Sequence, residues 1–512
     1  MKLIVPLSIA FFCSHLCLSQ NVVFEYKPEF KPFTDGSGYG SARLNLDNSD
    51  KKIYVIHNGN KIDYLLLNKD FSIAEKLTPP QGFPGTMYVY KDGREHMGSM
   101  INEKTKTAYA FHRLINQQKK GLRPKKALEE YRVETIDFAN RKVSNKIIFV
   151  PPTEEDYVSS FTYNNKFHII TCFSEPKQLS VRIFDENGQI TKKDFSLSFL
   201  DEVLKKEKLV DFICPAEQYV NNIDYKDDEM DFPVKVFMEN EKTILFTISV
   251  AKKTPQLLRL DLETSKADLK EIPPADFCIS DEKKDPSVNN VHFLNGKLYV
   301  VNACKKKSQL YILNPTTLVA EKKYELSETS NINLAEPATI KKGEKGAEYL
   351  TDKEDIIKKL NDGAPQVYVY NDTQGNTIIS FGMYSENFKG DGGKFVRSPS
   401  APTTFVTGTY AGSNVPITRS FPNPTQMSYQ SGSVTVVKTL LICKIVMNPS
   451  NELIKLKTPL PPLTQAWEYH NKYKLKTSCS NKFMMSIKDQ YFIEYMNSKT
   501  ETLYLEEIQI KN

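Results

Sequence analysis

The chain writes one strand–turn–strand pattern twice, and that repetition limits what it can fold into. Residues 166–184 read "KFHIITCFSEPKQLSVRIF" and residues 297–313 read "KLYVVNACKKKSQLYIL". In each, a Lys opens an apolar run, a polar turn follows, and Gln-Leu opens a second run. Lys166 and Gln178 are spaced as Lys297 and Gln309 are. Runs rich in β-branched and aromatic residues, bounded by turn clusters such as Asp185-Glu186-Asn187-Gly188 and Asn314-Pro315-Thr316-Thr317, are the signature of β-hairpins. A lone hairpin cannot bury both faces, so each copy needs neighbours of its own kind to supply a core.

Looser versions of the first run begin at Lys52, Thr107, Lys242, Asn376 and Lys482, which makes seven in all. The interval before Lys482 is long enough to hide one more, and "VKTLLICKIVM" from Val437 is the candidate. Repeated units of short strands predict an all-β chain, a β-propeller-like array of six to eight small antiparallel sheets in one domain over residues 20–512. Two smaller β domains or stacked sandwiches compete with it. Two short helices are expected as insertions. "TDKEDIIKKLNDG" offers Thr351 as N-cap, Glu354 in the capping-box position, Ile356, Ile357 and Leu360 on one face, and Gly363 as the stop. "SFLDEVLKKEKLVDF" places Leu200, Val203 and Leu204 at helical spacing.

The first nineteen residues, "MKLIVPLSIAFFCSHLCLS", read as a secretory signal peptide: Lys2, an apolar run from Leu3 to Phe12, then small and polar residues, with cleavage after Ser19. The apolar run is well short of the ~20 residues that span a bilayer, so a secreted or periplasmic chain without a transmembrane segment is expected. Six cysteines then remain, scattered and without a C-x-x-C pair. That spacing fits neither a zinc site nor a disulfide-stapled mini-fold, and buried half-strand cysteines are the simpler expectation. Lys and Arg exceed Asp and Glu by only six, 68 against 62, which gives no support to nucleic-acid binding.

Two connectors stand out. Arg113 to Lys126 holds six basic residues and no acidic one, and Lys389 to Gly432 is rich in Gly, Ser, Thr and Pro. The first is a solvated hairpin extension or a dock for an acidic surface. The second, forty-odd residues without periodicity, is a binding loop or lid, or is disordered. Binding is accordingly expected at Arg123, Lys125 and Lys126, with Tyr410 and Trp467 as stacking aromatics. The carboxylates Asp224, Asp227, Asp228 and Asp231 could hold calcium, although an EF-hand pattern is missing and a solvated acidic loop explains them as well. No cofactor is implied.

Catalytic signatures are scarce. No two histidines have metal-ligand spacing, there is no H-E-x-x-H or G-x-S-x-G, and "KGDGGK" lacks the phosphate-loop spacing. His168 and His292 sit inside strand-like runs, where a packed imidazole is the simpler expectation. "DGSGYGS" at Asp35–Ser41 reads as a flexible turn. The Lys/Asn/Ile-rich style, the leader ending "SQN" and the meandering strands resemble secreted β-propeller-like proteins of the Bacteroidota. That resemblance implies export. The expected function is an exported, non-catalytic binding or scaffold protein of the cell envelope, with a protein or other envelope component as partner. The alternatives are a propeller-type hydrolase or lyase acting on polysaccharide or peptide, with carboxylates in a central pocket, and a structural envelope protein.

Overall fold

Seven small sheets follow one another along the chain, antiparallel except where Ala216–Gln218 adds in parallel to Val234–Asn240 of the fourth. The computed structural model describes residues 21–508 apart from 30–39, 47–48, 58–60, 80–93, 117–127, 205–207, 214–215, 219–233, 250–253, 273–287, 305–306, 328–333, 336, 343–346, 361–363, 373, 391–394, 398–405, 411–412, 420–426, 430–433, 451, 455–478, 488–489, 498–499 and 501. Blade 1 comprises Gly40–Asn45, Lys52–His57, Ile62–Leu67 and Ile73–Leu77. Blades 2 and 3 repeat the four-stranded meander from Arg94 to Phe149 and from Glu155 to Ser196. Blade 4 runs from Val234–Asn240 to Lys266–Glu271, and blade 5 from Val288–Leu294 to Ala320–Ser327.

Blade 6 departs from the pattern. Ala364–Asn371, Thr377–Gly390 and Val434–Met447 form three adjacent strands. The fourth place is filled from two directions, by Ala338–Lys342 and by Leu453–Ile454. Blade 7 holds Cys479–Ile487, Gln490–Asn497 and Thr502–Glu507, and its outer strand is Asn21–Tyr26 from the other end of the described chain. Asn21 lies opposite Glu507. The first strand thereby closes the ring on the last, which is the propeller-like array the repeats predicted, with seven blades.

Among the described residues, blades 1 to 5 each bury both faces against their neighbours. Blades 1 and 2 share Ile53, Val55, Ala108 and Ile136, and blades 2 and 3 share Phe111, Tyr131, Phe167 and Ile169. Phe111 stacks on Phe167 with ring centres 3.7 Å apart. Similar clusters join blades 3 to 4, 4 to 5, 5 to 6 and 7 to 1. Because one face alone cannot stay dry, the hairpin recurs: "KFHIITCF…QLSVRIF" is the middle of blade 3, and its twin is the middle of blade 5. The spacing match hides a shift of register. Gln178 faces Phe173, seven residues past Lys166, whereas Gln309 faces Asn302, five past Lys297.

Six of the seven expected first runs begin at, or one residue before, the second strand of a blade, and the seventh, at Lys482, falls in the first strand of blade 7. Val437 corrects the expectation of an eighth unit. It belongs to the third strand of blade 6, separated from its partner strand by an insertion. Both helices form. Lys353–Leu360 buries Ile356, Ile357 and Leu360 between blades 5 and 6. Its cap is Asp352, whose Oδ1 accepts the Asp355 N–H at 3.1 Å, one residue on from the Thr351 expected. The other insertion splits into Asp201–Leu204 and Leu209–Ile213, and its Leu200, Leu204, Leu209 and Ile213 are part of the core between blades 3 and 4. Cys172 and Cys443 are buried in interblade cores, as half-strand cysteines should be.

Candidate functional site

Strand parity assigns every connection to one of two faces. Inner strands all begin on one face of the ring, so the first-to-second and third-to-fourth strand turns lie on the opposite face. Those turns are short: 103–106, 138–141, 164–165, 185–189, 241–242, 262–265 and 295–296 among them. Asn or Asp at the strand end makes them tight. Asn102, Asp137, Asp185, Asp261, Asn314, Asp372 and Asn448 each accept backbone N–H groups two to four residues on. The described non-glycine residues with positive φ, from Phe71 to Leu318, also fall in these turns.

The other face receives the strand ends that flank the long connections. Asn116 and Leu128 bracket the basic connector, Ser196 and Val234 bracket the helices and the acidic run, and Gly390 and Val434 bracket the Gly/Ser/Thr/Pro-rich stretch. That last stretch is no structureless loop where it is described. Pairing runs from Thr377↔Met447 to Gly390↔Val434, then Phe395↔Tyr429 to Arg397↔Met427, then Val406↔Arg419 to Tyr410↔Ser413. The described stretches thus pair as three successive antiparallel ladders in nearly one register, and together they are called the arm. At its root a Cβ on Gly382 would run into the Leu441 carbonyl oxygen, so only glycine permits that approach.

Beneath this face, blades 2 and 3 are joined by alternating guanidinium and aromatic groups. Arg113, at the root of the basic connector, donates to Glu129 at 3.0 and 2.7 Å and to Glu95 at 3.1 Å. Its guanidinium lies 4.6 Å from the Tyr157 ring centre. Tyr131 stacks on Phe149 at 4.2 Å, and Arg182 covers Phe149 from 4.1 Å. Arg182 then donates to the buried Glu155 at 2.6 and 3.1 Å and to Thr171 Oγ1 at 2.8 Å. Burial works against the Arg113 charge, but the Glu129 hydrogen bond and the surrounding carboxylates outweigh it and hold the group protonated. Burial raises the Tyr131 hydroxyl well above its usual range. Lys177 clasps the helical insertion, its Nζ 2.7 Å from Asp201 Oδ1 while its carbonyl accepts the Leu197 N–H at 2.9 Å.

The inner wall of blades 4 to 6 is stitched rather than open. The buried Lys235 of blade 4 donates to Asn290 Oδ1 of blade 5 and, at 2.7 Å, to the Val367 carbonyl of blade 6. His292 packs edge-on between Phe237 and Tyr368, 5.0 and 5.1 Å away. Burial, then the Lys235 charge, holds that imidazole well below its usual range. His168 and His96 are pushed down to about 4 by burial, which makes His168 and His292 the packed imidazoles expected. A glycosidase-like carboxylate pair would come from the inner strands. Of the carboxylates on the first strands of the meanders, Glu95 is engaged by Arg113, Glu155 by Arg182 and Glu239, at 2.8 Å, by Arg259.

Of the expected site residues, Arg123, Lys125, Lys126, Trp467 and the run Asp224, Asp227, Asp228 and Asp231 lie outside the described residues, as does the leader. Tyr410 lies on the strand Val406–Tyr410 of the arm. Arg113 was grouped with the basic connector, yet its charge is taken up by Glu95 and Glu129. Within "DGSGYGS", Gly40 and Ser41 open the inner strand of blade 1 instead of continuing a turn. Among the described residues, no three His, Cys, Asp or Glu side chains converge as a metal site requires, and no helix is long and apolar enough to cross a membrane. The ladder is not legible in the sequence because its arginines and aromatics, Arg113, Tyr131, Phe149, Tyr157 and Arg182, lie on five different strands.

No family model matches the chain, and no curated protein matches it. Among solved structures, a variant of the Synechocystis apocarotenoid oxygenase is 11% identical over 57% of this chain and 63% of its own, with a TM-score of 0.29. Prolyl oligopeptidase B from Galerina marginata, bound to a macrocyclization substrate, is 9% identical over 68% of this chain and 47% of its own, with a TM-score of 0.31. The chain thus spans less than two thirds of either structure, and scores this low lend nothing to an assignment of activity.

Proposed function

We propose that this chain is an exported, non-catalytic binding or scaffold protein of the cell envelope that meets its partner with the loop-bearing face. The observation that carries the proposal is the asymmetry of the ring. One face is reduced to short turns, while the strand ends on the other bracket the basic connector, the acidic run, the helical insertion and the hairpin arm. Segments that vary in length on a rigid scaffold are where proteins place recognition. Glu95, Glu155 and Glu239 support the choice of binding over a central hydrolytic pocket, since each is spent on an arginine.

The test is lysine-directed crosslinking in intact cells of the native host, comparing the full chain with one in which residues 391–433 are replaced by Asn-Gly. One recurring partner, linked through loop-face residues and lost or weakened without the arm, is the expected result. Crosslinks that fall equally on turn-face lysines such as Lys69 and Lys106, and that survive arm replacement, would overturn it. N-terminal sequencing of the same material should begin at Gln20; a chain still beginning at Met1 removes export from the proposal.

A further inference from the structure

The strand that closes the ring is held by two blades that do not otherwise share it. Asn21–Tyr26 pairs along Thr502–Glu507 of blade 7, with Phe24 opposite Leu505 and Tyr26 opposite Leu503. Its Phe24 and Tyr26 side chains face blade 1. Phe24 lies 5.6 Å from the Tyr54 ring, and both Phe24 and Tyr26 join Ile56, Leu65, Phe492 and Leu503 in one buried cluster. The Tyr26 hydroxyl donates to the buried Asp63 Oδ2 at 2.5 Å, and Asp63 Oδ1 accepts from Thr78 at 2.6 Å. Just beyond, Glu29 pairs with Lys76 at 2.7 Å, whose ammonium also sits 5.5 Å from the Tyr26 ring. Every one of these contacts reads a feature of an extended segment: a backbone edge, an aromatic pocket, and a hydroxyl-specific acceptor two residues on.

We propose that the cleft between blades 7 and 1 is a strand-acceptor site for an extended Phe-x-Tyr segment. Its resident occupant is the chain's own closing strand, and the same strand of a second copy fits it once the resident strand is released. Main-chain pairing supplies affinity, and alternate side chains supply selection, as in strand addition generally. The closing strand is the one strand of its sheet that reaches the blade from the far end of the chain, so it can be exchanged without dismantling a hairpin. The Asp63 carboxylate makes the site discriminate. A Phe in place of Tyr26 leaves a buried acceptor with one donor fewer, which costs enough to weaken occupancy about tenfold.

The experiment uses the full chain with a protease site inserted between residues 30 and 39 and cut after folding, so that the closing strand stays in place but is no longer tethered. Fluorescent peptide spanning Gln20–Glu29 is then added. The expected result is saturable uptake of one peptide per nicked chain, about tenfold weaker uptake of the Tyr26→Phe peptide, and none by uncut protein. Uptake of a scrambled peptide as readily as the native one overturns the proposal. So does failure of the native peptide to enter the nicked chain even after refolding from denaturant in its presence.

Discussion

The ring's two faces obey different rules. On the turn face the chain reverses within two residues at 164–165, 241–242 and 295–296, and six suffice at 314–319. On the loop face, Ser196 and Val234, or Gly390 and Val434, are separated by whole segments. Local chemistry fixes the first. Asp and Asn side chains cap their own turns, and positive-φ residues such as Asn164, Asn165 and Asn295 complete them. Nothing so local fixes the second, and there the structure relies on side chains that reach across blades. The difference teaches that an insertion on the loop face is not thereby an ornament. The Ser198–Ile213 segment is bolted down by Lys177 and buries four large aliphatics.

The sharpest way to break that distinction is Glu155→Ala. It strands the Arg182 guanidinium in the interface between blades 2 and 3, and losing one partner of a buried pair costs about 3–5 kcal/mol. Urea titration should show the midpoint falling accordingly; an unchanged midpoint would make the ladder surface decoration. Leu209→Ala, in the loop-face insertion, should cost about 2–5 kcal/mol because the side chain is fully buried. A loss under about 0.5 kcal/mol, typical of surface substitutions, would return the helices to the status of decoration. Gly382→Ala drives a methyl group into the Leu441 carbonyl, so the hairpin root must shift, at a cost of about 1–3 kcal/mol by analogy with overpacking. Asp261→Ala, on the turn face, removes the acceptor for the Glu263 and Thr264 N–H groups and should cost about 1 kcal/mol.

Acidity gives the most graded effect. His96 and His168 have folded pKa values of about 4 against an ordinary 6.5, so the folded state favours the neutral rings. Their contribution is fully present above pH 6.5 and drains away as the pH falls towards 4, because the unfolded chain takes up the protons first. Melting temperatures should therefore decline over that window, and His168→Phe should flatten the decline. A slope unaltered by that substitution would place the acid sensitivity elsewhere.

Much of this was legible in the sequence, and the failures have physical causes. Second strands announced themselves because both faces are buried and the runs are continuous, as at Lys166–Phe173, where six consecutive residues are buried. Val437 misled for the same reason. A buried third strand looks like a second strand once an arm separates it from its partner. The outer strand of blade 6 could not be read at all, since Ala338–Lys342 and Leu453–Ile454 are short and come one before and one after, in sequence, the strand whose edge they share. The cap slipped by one because Thr351 and Asp352 are both good caps, and the choice between them is made by where the first turn packs. Of the candidate site, the sequence marked which segments are unusual, and strand parity then grouped their roots on one face.

Ring closure also sets an order in time. Asn21–Tyr26 leaves the ribosome long before its partner Thr502–Glu507. Closing a loop of that length carries an entropy cost that no local contact repays beforehand, so blades 1 to 6 can form before the ring seals. Until then "NVVFEY" waits as an unpaired apolar strand, the kind of segment on which nascent chains aggregate. A chain built this way folds only as fast as its oldest strand can be kept from other company.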